Sequence, residues 1–345
     1  MTVAALKTTR SALRGPLGTR VFVAAVLLIL AAFILPRLAQ DPSFFVQIFV
    51  FGLANGAIYA LVALGYTMVY GIIELINFAH GDIFTLGAFL SLPLISAFGL
   101  QSGTSSGIGL YLALIGIALI VMAINGVINI TIERVAYRPL RHAPRLAPLI
   151  TAVGMSFILE GIIYIWRGAS NVPYPDFLPS ARIPIGGAAS IGVKDLIVIG
   201  LAVILTVVLT TFINQSRLGK AMRATAQDRD AAELMGIDIN RTISATFFIG
   251  AVLAGAGGIM FGLYFNSIRF DLGFSAGLFA FTAAVFGGIG NIQGAALGGL
   301  FIGMVKAFND GYGIAQLGDV WVFAILILVL VFRPTGLLGM QVPEK

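Results

Sequence analysis

The chain has 345 residues, no cysteine and only two histidines, His80 and His142. The first absence excludes a disulfide framework, a thiol nucleophile and any cysteine-ligated metal site. Charge is scarce as well. Only 10% of residues are Asp, Glu, Lys or Arg, against about 25% in a soluble domain. A chain this poor in charge cannot cover a water-facing surface. A GxxxxGK[ST] phosphate loop is also missing: Gly219-Lys220 is followed by Ala221, and the preceding glycine is lacking. If ATP drives this protein, another chain binds it.

What is present points to a bilayer. Apolar residues make up 59% of the sequence, 42 residues are glycine, and mean hydropathy is +1.00. Apolar runs of roughly 20 residues are long enough to cross a hydrocarbon core of ~30 Å, and glycines let membrane helices approach closely. The expected fold class is all-α: a polytopic membrane protein of about ten transmembrane helices, some short or broken. The runs are Val21–Leu38, Phe44–Val69, Ile83–Phe98, Gly109–Ile132, Ala147–Trp166, Val193–Ile213, Thr242–Phe265, Phe274–Phe286, Gly294–Phe308 and Val320–Phe332. Val21–Leu38 follows a basic, acid-free stretch and reads either as a retained span or as a cleaved signal peptide. Pro36, Arg37 and Gln40 make a poor cleavage site, which favours the span. GxxxG spacings occur at Gly52/Gly56, Gly258/Gly262, Gly294/Gly298 and Gly299/Gly303.

Two stretches break the apolar pattern. Tyr70–Asp82 holds Glu74, Asn77, His80 and Asp82. It is too polar to face lipid, so it is expected as a broken or re-entrant element buried in protein. Residues 216–241 form a strongly polar insert with Arg217, Lys220, Arg223, Arg229 and Arg241. Its alanines, Leu234 and Met235 favour a helix, and Gly236 supplies a stop. Such a helix either offers itself to another protein or is a solvated connector. A third feature, Phe274–Phe308, reads as two short helices hinged at Gly287, Gly288 and Gly290, much as Tyr70–Phe98 does. That pairing raises an internal inverted repeat as a topology to look for.

Charge orients the threading. With residues 1–20 inside, inner segments carry 15 basic residues and outer loops four, in keeping with the positive-inside rule. The 216–241 insert then lies in the cytoplasm. The net charge of +6 is explained by these loops and gives no reason to expect nucleic acid as a partner. The domain reading is a basic cytoplasmic N-terminus (1–20), one transmembrane domain (21–339) and a short tail (340–345).

Few residues suggest chemistry. Gly273–Gly277, GFSAG, matches the GxSxG nucleophile pattern, but it opens a membrane segment and no histidine follows it. A Ser275–Lys306 dyad would make an intramembrane hydrolase, and helix packing explains the glycines better. His80 and Asp82 allow three roles: bonding backbone freed by the break, lining a solute path, or relaying protons in a secondary carrier. Glu160, Asn125 and Asn129 suit interhelical hydrogen bonds. Asn55 and Tyr59 share one helix face and are candidates for a cavity lining.

Four motifs carry a resemblance. YTMVYGI-x5-NFAHGD (Tyr66–Asp82), ERVAYRPLR (Glu133–Arg141), AFTAAVFGGIGN-x2-GA (Ala280–Ala295) and RPTGLLG (Arg333–Gly339) resemble the membrane subunits of branched-chain amino acid ABC importers, the H-type subunit above all. The likeness runs from about Phe44 to Gly339. It implies a bacterial inner-membrane permease for branched-chain or broadly neutral amino acids, with urea or amide permeases as near alternatives. It implies a second homologous permease, two ATPase subunits that hold ATP and Mg, and a periplasmic solute-binding protein, and no cofactor on this chain. ABC permeases carry an E-A-A-x3-G coupling loop. Asp230, Ala231, Ala232 and Gly236 match it, with Asp in place of Glu, and Arg223 is expected to join them at the ATPase. The Ile-x-Leu-Pro that follows in the wider pattern is absent here. Asn55, Tyr59, Asn77, His80 and Asp82 are the candidates for the translocation path.

Overall fold

The computed structural model describes residues 36–73, 76–102, 107–141, 143–144, 146–186, 189–333 and 335–339. Residues 21–35 of the first predicted span, Glu74, His142 and the tail 340–345 lie outside them. The described chain is helical. Seven helices are long and apolar enough to cross a membrane, with Leu272–Gly287 as a shorter apolar helix.

The first, α1 (Pro42–Ile73), has 32 residues. At 1.5 Å per residue it reaches about 48 Å, well beyond one hydrocarbon thickness. It is buried along most of its length and forms the spine of the core. α1 is described to Ile73, residues 76–78 are not helical, and α2 begins at Ala79 (Ala79–Ala97). The expected break is therefore present, but shorter than Tyr70–Asp82. Residues 70–73 finish α1, and His80 and Asp82 already lie in the first turns of α2.

α3 (Ile108–Ile132) continues into a π-turn, Glu133–Tyr137, and a 3-10 turn, Arg138–Leu140. α4 (Leu146–Arg167) and α5 (Val193–Gln215) are mostly exposed along their spans. Their outward Phe157, Ile162, Val203 and Val207 suit lipid. Between them lies the proline-rich stretch. It holds β1 (Val172–Pro173) and the hairpin of β2 (Arg182–Gly186) with β3 (Ala189–Gly192), antiparallel through Arg182↔Gly192 and Ile183↔Ile191.

The polar insert is not one helix. It is α6 (Arg217–Gln227) and α7 (Arg229–Leu234), divided at Asp228. The Asp228 side chain accepts from the Asp230 and Ala231 amides at 3.0 and 3.1 Å. An aspartate in that position starts a helix rather than continuing one. α8 (Ile239–Phe265) follows and ends at Asn266 in the left-handed region. β4 (Ser267–Ile268) pairs antiparallel with β1. Then come α9 (Leu272–Gly287), α10 (Ile292–Tyr312) and α11 (Gly318–Phe332).

Glycine sets the packing. α1 pairs most extensively with α10. A Cβ on Gly56 would stand 2.7 Å from the Leu300 Cα, and one on Gly303 would overlap the Gly56 backbone. Gly258 of α8 approaches the Phe84 carbonyl in the same way, and Gly81 of α2 approaches Gly273 and Gly277 of α9. The GxSxG glycines are thus packing residues. Lys306 is occupied by an ion pair with Asp319 at 2.8 Å and lies over the Phe279 ring. Asn125 and Asn129 act as interhelical glue, donating to the Ile83 and Phe247 carbonyls at 2.9 and 2.8 Å.

Candidate functional site

Two regions gather the polar residues that an apolar bundle would otherwise exclude. The first surrounds the break between α1 and α2. Asn77, His80 and Asp82 are all buried. The Tyr137 hydroxyl donates to Asn77 Oδ1 at 2.7 Å, which ties the break to the π-turn after α3. The His80 ring meets Tyr66 edge-on, with centroids 4.9 Å apart. It fills space left by Gly65 and Gly250, where a Cβ would come within 2.5 and 3.4 Å of its Cε1. Neither ring nitrogen makes a hydrogen bond of standard geometry, although the Val62 backbone is within interaction range. Asp82 accepts from Ser156 Oγ at 2.5 Å through one oxygen, and the other has no partner. Glu160, one turn beyond Ser156 on α4, lies within electrostatic reach of it.

Asn55 and Tyr59 do not join this group. They sit farther along α1, where Tyr59 packs edge-on against Phe279 at 5.6 Å. Both are buried, and Asn55 Oδ1 has no partner of standard geometry. The residues brought together are therefore Asn77, His80 and Asp82. Tyr66, Tyr137 and Ser156 complete the group, and sequence reasoning had missed the roles of Tyr137 and Ser156. A tyrosine within a motif that also carries Glu133 was the available signal for Tyr137. Ser156 offered none, since a lone serine in a span is common.

The second region is the end of the bundle that carries α6 and α7. Glu133, fully buried, accepts from Ser244 Oγ at 2.7 Å, from Arg138 at 3.3 Å and from Arg141. Arg141 also donates to Asn240 at 2.6 Å. This cluster anchors the corner after α3 onto the start of α8. Arg223 donates to the carbonyls of Ile213 and Asn214 at the end of α5. Arg229 donates to the Ile72 carbonyl at the end of α1, at 2.8 Å. Both guanidiniums meet helix C-termini, where carbonyls lack intrahelical donors and the dipole favours a cation. Arg223 thus braces α6 on α5, while Asp230 and Ala231 face outward and Ala232 is buried. Leu234 and Met235 at the tip are 89% and 82% exposed. Gly236 ends the element at φ 82°.

The glycine turn between α9 and α10 lies at the same end. Gly288 and Gly290 have φ of 111° and 86°. Gly287 still belongs to α9 and abuts Gly294 of α10. Leu337 and Leu338 donate their amides to the Phe286 and Gly287 carbonyls at 2.8 and 2.9 Å, which fastens residues 335–339 to the turn. Among the described residues no group of three or more His, Cys, Asp or Glu is placed to hold a metal ion.

An apolar bundle with seven span-capable helices, an interrupted helix pair and a braced polar element at one end fits a multi-pass membrane protein. Residues 48–330 match the family described as branched-chain amino acid transport system / permease component. The chain is 40% identical over 306 residues to the high-affinity branched-chain amino acid transport system permease protein LivH of Salmonella typhimurium, covering 88% of this chain and 98% of that protein. It is 43% identical over 309 residues to the corresponding protein BraD of Pseudomonas aeruginosa, covering 87% and 98%. The autoinducer 2 import system permease protein LsrD of Photorhabdus temperata is 28% identical over 286 residues, covering 77% and 84%. Among solved structures, PsaBC from Streptococcus pneumoniae in complex with Fab overlays on 87% of this chain and 95% of its own, at TM-score 0.43 and 13% identity. The chain belongs to the branched-chain amino acid transport permease family.

Proposed function

We propose that this chain is the permease subunit of an ATP-driven importer for branched-chain or similar neutral amino acids. It forms the translocation path together with a second, homologous permease. Two cytoplasmic ATPase subunits hold ATP and Mg and supply the work. A periplasmic binding protein delivers the solute, and residues 1–20 lie in the cytoplasm. The identity of 40–43% to LivH and BraD over nearly the whole chain is the observation that carries this reading. The path is proposed to run past the break, with Asn77, His80 and Asp82 near it. Asn55 and Tyr59 are proposed to line its other half.

The α6–α7 element is proposed as the ATPase dock. Leu234 and Met235 are large apolar side chains held out from the body of the chain. Such a protrusion is costly in water and is explained by a partner groove. Burying each side chain is worth roughly 1.5–3 kcal/mol. Asp230 adds charge beside them, and Arg223 contributes by holding α6 rigid.

The test is capture of the ATPase subunits. L234D combined with M235D is expected to release them from the purified complex while the chain still inserts in the membrane. D230K is expected to weaken capture less, as a rim charge does. Retention of the ATPases at wild-type levels by the L234D/M235D variant contradicts the docking reading.

A further inference from the structure

One contact joins the proposed dock to the interrupted helix pair. Arg229 Nη2 donates to the Ile72 carbonyl at 2.8 Å, bridging 157 residues of sequence. Ile72 lies in the last turn of α1, which is described to Ile73. Arg229 opens α7, whose backbone is fixed by the Asp228 cap. A guanidinium built into the helix that carries the exposed tip thus holds the final turn of the helix that leads into the break.

The break is only partly satisfied: Asn77 Oδ1 accepts from Tyr137 and Asp82 from Ser156, and other polar atoms stay unpaired. Asn77 Nδ2, both His80 ring nitrogens, Asp82 Oδ1 and Thr67 Oγ1 are buried without a hydrogen-bond partner of standard geometry. Buried polar groups left unpaired favour any arrangement that pairs them. A joint of this kind has more than one packing within reach, as a two-state element requires. Space is available too. A cavity of about 490 Å³ lies between α7 and the end of α1, lined by Ile72, Ile73, Tyr137, Arg141, Asp228 and Arg229 among others. Arg223, in contrast, grips α5, which continues without interruption from Val193 to Gln215.

We propose that Arg229 is the positioning residue that passes movement of α7 to the end of α1, and through it to the non-helical residues 76–78. The proposal rests on the docking reading above. Arg229 touches no solute. It sets how far ATPase movement is converted into rearrangement around Asn77, His80 and Asp82.

The experiment uses the full transporter in proteoliposomes, with both permeases, the ATPases and the binding protein, and leucine as the probe solute. R229Q is expected to leave the ATPases bound and basal ATP hydrolysis unchanged. Leucine taken up per ATP hydrolysed is expected to fall tenfold or more. R229K, which keeps one charged donor, is expected to fall less. R223Q, which loosens the brace of α6 on α5, is expected to reduce the yield of folded complex. Because the chain has no cysteine, a rescue can be read directly. In I73C/R229C uptake per ATP is expected to be low, and a short bis-maleimide that joins the two thiols is expected to restore part of it.

Unchanged uptake per ATP in R229Q overturns the proposal. So does an I73C/R229C pair that behaves identically with and without the cross-link, which decides the matter should R229Q fail to fold. Release of the ATPases by R229Q also overturns it, since Arg229 would then belong to the dock itself. Failure of the docking reading looks different: there L234D/M235D keeps its ATPases whatever Arg229 does.

Discussion

Glu133 offers the sharpest energetic test of how this chain is held together at the end that carries α6 and α7. Its carboxylate has no exposed surface, and Arg141 beside it is 12% exposed. Replacing Glu133 by alanine strands the Arg141 guanidinium. Breaking one side of a buried ion pair costs about 3–5 kcal/mol, and Ser244 loses its acceptor at about 1 kcal/mol more. Arg138 adds little, because its side chain is 36% exposed and can turn to water. E133Q keeps the shape and the Ser244 bond, so it should fall between wild type and E133A. The double variant E133Q/R141Q leaves no buried unpaired charge and should recover much of the loss. The assay is unfolding of the purified chain in mixed micelles with rising SDS, followed by the fluorescence of Trp166 and Trp321. The expected coupling energy between positions 133 and 141 is at least about 2 kcal/mol. Additivity within about 0.5 kcal/mol, the scatter of independent sites, refutes the buried pair.

Two further outcomes follow from glycine geometry. G303L should abolish monodisperse folded protein on size-exclusion chromatography, because its Cβ meets the Gly56 backbone, while G116L should not, because nothing lies within 4 Å of the position. G236A should cost about 1 kcal/mol for its left-handed backbone and no more, since the space around it is open. Its uptake should fall only modestly, and G236N should fall less than G236A.

Long features were legible from residues alone. Seven of the ten predicted runs fall on helices long and apolar enough to span, Phe274–Phe286 falls on the shorter α9 and Gly294–Phe308 on α10, while Val21–Leu38 lies almost wholly outside the described residues. The polar stretch Tyr70–Asp82 does contain a break, narrower than predicted, at residues 76–78. The glycine turn at Gly287–Gly290 was visible in the same way, and so was the stop at Gly236. The shape of the 216–241 insert was not. Its alanines and leucine read as one helix, but Asp228 competes for backbone amides and starts a second one, a local signal that propensity averaging hides. The roles of Arg223 and Arg229 were also hidden. As loop cations they satisfy the positive-inside count wherever they point, and only the fold brings them to carbonyls at Ile213 and Ile72. Ser156 could not be found at all, because its partner Asp82 lies 74 residues away. The helix boundaries at the break shifted for a related reason: Ala79–Asp82 is polar at His80 and Asp82, yet its backbone is helical once Gly81 lets α2 lie against α9.

The most direct measurement compares leucine uptake by the purified chain alone with uptake by the complete assembly, in proteoliposomes at equal protein. Uphill accumulation is expected only with the ATPases, ATP and the binding protein present, and it should survive collapse of the proton gradient. Accumulation against a gradient by the isolated chain would contradict an ATPase-driven permease outright.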